Sequence, residues 1–250
     1  MDSREVSWFS PNLQKDMCIR IYGSGETPLL VFPVQDGMRD NFENNTMIDT
    51  LAGDIQSGRI QLFCVDSVDK ESWSNVWGDN NWRSERQESY YDYIIEEVMP
   101  FVTRTNGTGH QPIATGCSLG ALHAAIVFFR RPAMFSGLLA LSGFYDAKFF
   151  FGGWSNGLLY DNSPVDFLAN ISPEHDYINI YNEKRIVLCV GQGRWEEEGR
   201  RTLAILQDIF VAKGIDAWVD FWGYDVEHDW YWWKKQMIYF LPYVLGETPK

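Results

Sequence analysis

Residues 113–132 read Ile-Ala-Thr-Gly-Cys-Ser-Leu-Gly-Ala-Leu-His-Ala-Ala-Ile-Val-Phe-Phe-Arg-Arg-Pro. The short β-favouring run from Ile113 to Gly116 predicts a buried strand. The run from Ser118 to Phe129 predicts a helix; it ends at Arg130-Arg131-Pro132, where basic groups suit a helix C-terminus and proline cannot continue it. Between them lies Gly116-Cys117-Ser118-Leu119-Gly120, a complete Gly-x-Ser-x-Gly. At a strand-to-helix junction, this motif predicts a strained turn that projects Ser118 Oγ out of the sheet, with glycines admitting close backbone approach. The competing meaning of the same five residues is a tight turn whose small residues let the helix pack on the sheet. Cys117 occupies an x position and is assigned to packing.

Outward from this stretch, short apolar runs alternate with helix-like segments, the pattern of an α/β fold with a mostly parallel sheet covered on both faces. Eight strands are expected, at Glu5–Phe9, Met17–Tyr22, Leu29–Val34, Gln61–Val65, Ile113–Gly116, Gly137–Leu141, Arg185–Val190 and Ala217–Phe221. A short Pro-Asn turn joins the first two with no room for a crossover helix, so they should pair antiparallel at one edge, and the rest should run parallel. The spacing predicts a helix over Glu88–Thr103, with Tyr91, Ile94, Ile95, Val98, Phe101 and Val102 facing the sheet. Further helices are expected at Ser118–Phe129, at Glu197–Lys213 ending on Gly214, and at Trp232–Leu245 with a kink at Pro242. Residues 144–182 are too long for a simple connection and should form a small cap over one end of the sheet. No repeat, linker or low-complexity tract interrupts the chain, so residues 1–250 are expected to form a single domain.

Composition narrows the function classes. With 45% hydrophobic and 22% charged residues, the chain is neither disordered nor fibrous. Its 21 basic and 34 acidic residues give a net charge of −13, which repels phosphate backbones and anionic membranes, so no nucleic-acid or membrane partner is expected. Its apolar runs fall short of the ~20 residues that span a bilayer. The first ten residues carry charges of both signs with no apolar run behind them, unlike a secretory signal, and the expected location is cytoplasmic. Cys18, Cys64, Cys117 and Cys189 are scattered singly, with no Cys-x-x-Cys pair and no histidine at ligand spacing. They read as reduced, mostly buried thiols, with no structural metal expected.

A serine hydroxyl needs a base. Of the four histidines, His123 lies five residues into the helix that begins at Ser118, His110 precedes a strand, and His175 sits in a solvated turn. His228 follows the last strand, at the end of the sheet where open α/β folds place their sites, and is the candidate base. The residue orienting it should be an acid lying between serine and histidine in the chain. The loop Val190–Gly199 offers Glu196, Glu197 and Glu198. Glu196 is preferred because the other two read as first-turn acids of the next helix. Asp146 is the runner-up, while Asp225 and Asp229 lie too close to His228 along the chain. For an oxyanion, the N–H of Leu119 is one expected donor; the second should come from the loop after the third strand, where Gln35 is preferred over Asp36. Of the eleven tryptophans, Trp218, Trp222, Trp232 and Trp233 read as packing residues. Trp73, Trp77, Trp195, Trp230 and the run Phe149-Phe150-Phe151 fall in loops on the expected active side and would suit aromatic or sugar-bearing groups, with Phe150 the central candidate of the run. Exposed tryptophan loops also leave homo-oligomer formation open.

With these residues placed, the chain resembles the enterochelin-esterase and esterase-D-like family of the α/β-hydrolases, which also holds feruloyl esterases and mycolyltransferases. The likeness runs through ATGCSLGALHAA (114–125), ALSGFYD (140–146), CVGQGRWEE (189–197) and YDVEHDWYWW (224–233). It implies the three-layer α/β-hydrolase sandwich, Ser118 as nucleophile, Glu196 as the acid of a Gln-Gly-x-x-acid pattern, and His228 in a His-x-Trp signature ending at Trp230. The family often carries aspartate at the acid position, where this chain has glutamate. The expected activity is that of a serine esterase acting on a small-molecule ester through an acyl-enzyme, without a cofactor, and rising as His228 loses its proton. Two alternatives stand beside it. An acyltransferase on the same triad would let added alcohols compete for the acyl group, and an inactive binding protein would leave Ser118 unlabelled by fluorophosphonates.

Overall fold

The strand carrying the Gly-x-Ser-x-Gly turn lies near the middle of the sheet, buried along its whole length. The computed structural model describes residues 3–250. Its strands are β1 (Ser3–Ser10), β2 (Lys15–Tyr22), β3 (Thr27–Phe32), β4 (Ile60–Val65), β5 (Ile113–Cys117), β6 (Gly137–Leu141), β7 (Arg185–Val190) and β8 (Trp218–Phe221). They form one eight-stranded sheet in the order β1-β2-β4-β3-β5-β6-β7-β8. As expected, β1 pairs antiparallel with β2 at one edge; β2 is also antiparallel to β4, and β3 through β8 are parallel. After β3 the chain moves outward to β4, then returns to the other side of β3 as β5. That reversal opens a crevice at the C-terminal ends of β3 and β5, where open α/β sheets hold their ligands.

Alternating residues of the strands feed two apolar layers. Leu30, Phe32, Ala114, Leu138 and Leu188 face the elbow helix Leu119–Arg130 and the helix Glu197–Lys213. Leu29, Val31, Leu139, Leu141 and Val187 face the terminal helix Trp230–Val244 and the short turns carrying Met47, Leu51 and Ile55. This is the three-layer sandwich implied by the sequence. Cys18, Cys64, Cys117 and Cys189 are buried and unpaired. No helix among the described residues is long and apolar enough to cross a membrane.

Most element ends shift by a residue or two from expectation, and three of the shifts have a local reason. β3 stops at Phe32 rather than Val34, because Pro33 has no N–H to give to the ladder. The amphipathic helix begins at Asn80 rather than Glu88. Asp79 caps it by accepting the Trp82 N–H at 3.0 Å, and the helix continues through a π-helical stretch, Tyr93–Val98, into Met99–Asn106. The terminal helix begins at Trp230 because Asp229 accepts the Trp232 N–H at 3.1 Å. Gly214, with φ 70°, closes Glu197–Lys213 as expected.

Residues 144–182 fold into short helices at Ala147–Phe151, Gly157–Asp161, Pro164–Asn170 and Asp176–Glu183. They join the main core through Phe151, Leu159, Val165 and Leu168. A buried arginine unnoticed in the sequence fastens this insertion: Arg83 donates to the carbonyls of Ser72 (2.9 Å), Trp73 (3.0 Å) and Phe150 (2.8 Å). The short turn Asp69–Glu71 beside it is pinned by Lys15 and Arg86, which both hold Glu71. Burial works to raise the Glu71 carboxyl, but the two cations outweigh it and hold it below its ordinary range. Its contribution to stability is therefore present at neutral pH and lost as acid protonates it. Glu71→Gln is expected to flatten the acid limb of the stability curve between about pH 5 and 3, measured by urea unfolding at several pH values.

Candidate active site

Ser118 sits at φ 56° and ψ −125°, a conformation that costs a side-chain-bearing residue about 1–3 kcal/mol and persists only where its surroundings dictate it. Here they do. The Ser118 N–H is held by the Leu141 carbonyl at 2.8 Å, and the two motif glycines permit backbone contacts that no side chain would allow. A Cβ on Gly116 would lie 2.4 Å from the Gly120 carbonyl carbon, and one on Gly120 would lie 2.5 Å from the carbonyl oxygens of both Phe32 and Pro33. The start of the elbow helix is thus pressed against the end of β3.

Three side chains distant in the chain meet at this rim. His228 Nε2 lies 2.8 Å from Ser118 Oγ, and His228 Nδ1 lies 2.9 Å from Glu196 Oε2. Glu196 is fully buried. Its other oxygen accepts the Ser142 hydroxyl at 2.5 Å and the Gly191 N–H at 3.3 Å, so the buried carboxylate is compensated on both sides. Ser142 Oγ in turn accepts the Trp233 indole N–H at 3.0 Å. The His228 ring is flanked by Phe144 (5.4 Å between centroids) and Trp233 (4.9 Å), and its backbone N–H is held by the Arg194 carbonyl at 3.1 Å. Neither Ser142 nor Phe144 emerges from sequence reasoning, although both lie in the ALSGFYD stretch at the C-terminal end of β6. Ser142→Ala removes the donor to the buried acid. It is expected to lower kcat for ester hydrolysis about ten- to thirtyfold with little change in KM, as loss of a hydrogen bond to a charged group would.

The remaining acids are occupied elsewhere. Asp146 accepts the Lys148 N–H at 3.1 Å and the Arg201 guanidinium at 3.3 Å, Glu198 pairs with Arg201 at 2.6 Å, and Glu197 is exposed. Among the histidines, His110 stands on the surface 3.7 Å from Glu26, and His175 caps a helix by accepting the Tyr177 N–H at 3.1 Å. His123 is buried, hydrogen-bonded to Asp69 at 2.9 Å.

The loop after β3 lies beside the elbow. Its N–H groups are accounted for in turn: Val34 donates to Asn41 Oδ1 at 3.1 Å, Asp36 to Asp69 Oδ2 at 3.0 Å, and Gly37 to the Val34 carbonyl at 2.9 Å. The N–H groups of Gln35 and Leu119 have no acceptor among the described residues.

The aromatic candidates fare less well. Trp73 does not line a cleft: it is fully buried, packed edge-on against Phe150 and Phe151, because the insertion folds over it. Trp77 is 97% exposed and no aromatic pair places it near His228. Trp230 packs against Phe42 (5.5 Å) and Trp233 (5.2 Å), with the Trp233 ring between it and His228. Phe150 is half-buried, and stands one ring away from His228 through Phe144. Phe149 is exposed and stacks on Phe144. Trp195 is exposed beneath the Arg194 guanidinium.

Comparison with known proteins bears on this arrangement. The model of the family described as "Putative esterase" matches residues 10–244. No curated protein sequence matches the chain. Among solved structures, a ferulic acid esterase is similar with a TM-score of 0.75 at 14% identity, over 99% of this chain and 100% of that one. An S-formylglutathione hydrolase from Agrobacterium tumefaciens gives 0.75 at 13% identity, over 98% and 94%. The enterobactin esterase of Shigella flexneri gives 0.65 at 20% identity, over 99% of this chain and 60% of that longer protein. At these identities the structural likeness is one of fold. The family match spans nearly the whole sequence, and the chain therefore belongs to this esterase family of α/β-hydrolase fold, as a carboxylic-ester hydrolase.

Proposed function

We propose that the protein hydrolyses a small-molecule carboxylic ester through an acyl-enzyme formed on Ser118. What carries the reading is the continuous hydrogen-bond chain from Ser118 Oγ through His228 to Glu196, at 2.8 and 2.9 Å. Ser118 Oγ attacks the acyl carbon while His228 Nε2 takes its proton, and Glu196 holds the imidazole in the tautomer with the proton on Nδ1 and stabilises the imidazolium. The tetrahedral oxyanion is received by the N–H groups of Leu119 and Gln35. Leu119 adds the positive end of a helix that runs to Arg130. Collapse breaks the bond to the alcohol, which leaves with the proton from His228. Water then enters and attacks the acyl carbon as its proton passes to the same nitrogen; the second intermediate collapses by breaking the bond to Ser118 Oγ, which takes the proton back from His228 as the acid leaves.

Phe144 and Phe149, stacked beside His228, offer the aromatic wall against which the ester would lie. The test is labelling by a fluorophosphonate together with a panel of esters varying in acyl length and alcohol. Labelling at Ser118 with turnover of at least one ester class is expected. Folded protein that neither labels nor turns over any ester would refute the reading.

A further inference from the structure

The mechanism above leaves one buried ionisable pair unused. His123 and Asp69 are 1% and 0% exposed, with His123 Nε2 at 2.9 Å from Asp69 Oδ1. The histidine belongs to the elbow helix, five residues after the nucleophile, and the aspartate to the short turn after β4. From the serine-esterase reading we infer that this pair positions the oxyanion loop: Asp69 links the elbow helix to the backbone of Asp36 and so aims the Gln35 N–H at the reacting carbonyl.

The two carboxylate oxygens carry different partners. Oδ1 takes the His123 ring N–H, and Oδ2 takes the Asp36 N–H at 3.0 Å. Asp36 sits at φ 59°, a left-handed conformation that most residues with a side chain avoid and that aspartate adopts where hydrogen bonds hold it. The bond from Asp69 does so. Its consequence falls on the residue before: between the committed N–H groups of Val34 and Asp36, that of Gln35 has no acceptor among the described residues and is left to serve a ligand. The Gln35 side chain is drawn the same way, donating to Ser74 Oγ at 2.8 Å, while the Ser74 N–H is held by the Asp69 carbonyl at 2.8 Å. The His123 ring is fixed in turn by Phe32 (5.9 Å), the last residue of β3, and by Tyr90 (5.0 Å) and Trp73 (6.2 Å). A buried carboxylate is costly without donors on both oxygens, so removing His123 loosens the Asp69 grip on Asp36. The serine and the loop that serves it are thereby set from one helix, through one side chain.

His123→Leu deletes the donor; His123→Gln returns one at similar reach. Active enzyme is counted by fluorophosphonate titration, so loss of folded protein does not enter the rates. The readouts are hydrolysis of p-nitrophenyl acetate and inhibition by phenylboronic acid, whose tetrahedral adduct on Ser118 needs the oxyanion donors. His123→Leu is expected to lower kcat/KM about 10- to 100-fold with KM nearly unchanged and to raise the boronate Ki in parallel, while His123→Gln recovers most of both. Should His123→Leu not fold, the isosteric Asp69→Asn is expected to show the same parallel shift at smaller amplitude. A boronate Ki that stays at the wild-type value in these variants, with wild-type Ser118 labelling and turning over normally, overturns this inference alone. Absence of Ser118 labelling in folded wild-type protein overturns the serine-esterase reading and this inference with it.

Discussion

Ser118→Ala is expected to reduce kcat for ester hydrolysis by about 10⁴- to 10⁶-fold, some 5–8 kcal/mol of transition-state stabilisation, and to abolish fluorophosphonate labelling. The magnitude follows from the role. Without Oγ no acyl-enzyme forms, and what remains is the small acceleration that the oxyanion donors and substrate binding give to direct attack by water. Alanine keeps the Cβ and hence the strained backbone at φ 56°, so the fold should be unchanged and the melting temperature nearly so. His228→Ala in the same background should then cost almost nothing further, because a base with no nucleophile to activate contributes little. Activity retained within tenfold in Ser118→Ala would mean that the 2.8 Å contact with His228 is a packing feature and that chemistry runs elsewhere.

Gly120→Ala is expected to be among the most damaging single-methyl changes at the site. The new Cβ would stand 2.5 Å from two carbonyl oxygens, those of Phe32 and Pro33, and neither is the free end of a flexible side chain. Relief requires the elbow helix to move away from β3, against a core in which Leu119, Ala121, Leu122 and Phe32 are all buried. Overpacking of this kind costs about 1–3 kcal/mol in an ordinary core, and rigid backbone on both sides places this case at the upper end or beyond. Activity should suffer out of proportion to stability, since the movement separates the Leu119 N–H from the Gln35 loop. Urea unfolding together with kcat/KM on the folded fraction separates the two effects. A variant that unfolds like wild type and keeps full turnover would show that the helix and strand can part freely.

Much of this architecture is legible in short windows of sequence. The elbow is written in Gly116-Cys117-Ser118-Leu119-Gly120, because a strained turn needs glycine wherever backbones touch, and the steric reason is confined to a few residues. The antiparallel edge follows from a turn too short for a crossover, and His228 from its place just beyond the last strand. Helix starts are legible only in part: Asp79 and Asp229 are caps whose meaning depends on which N–H they reach. The aromatic residues are least legible. Trp73 and Trp77 lie four apart in one loop, yet one is fully buried and the other almost fully exposed, because the insertion folds over only the first.

The sequence by itself determined the alternation of elements, the strained serine and the identity of its histidine, all set by local sterics and hydrophobic period. The sequence favours Glu196 over Glu197 only through a rule about helix starts; the tertiary structure supplies the physical difference, since one step along the chain separates a buried carboxylate facing His228 from one facing water. Between Gln35 and Asp36 it adds what the sequence lacks, an acceptor for one of the two N–H groups: that of Asp36 is claimed by Asp69, a partner 33 positions away. Such choices depend on which residues the sheet order brings together, and contacts of that range leave no periodic trace in the residues on either side of them.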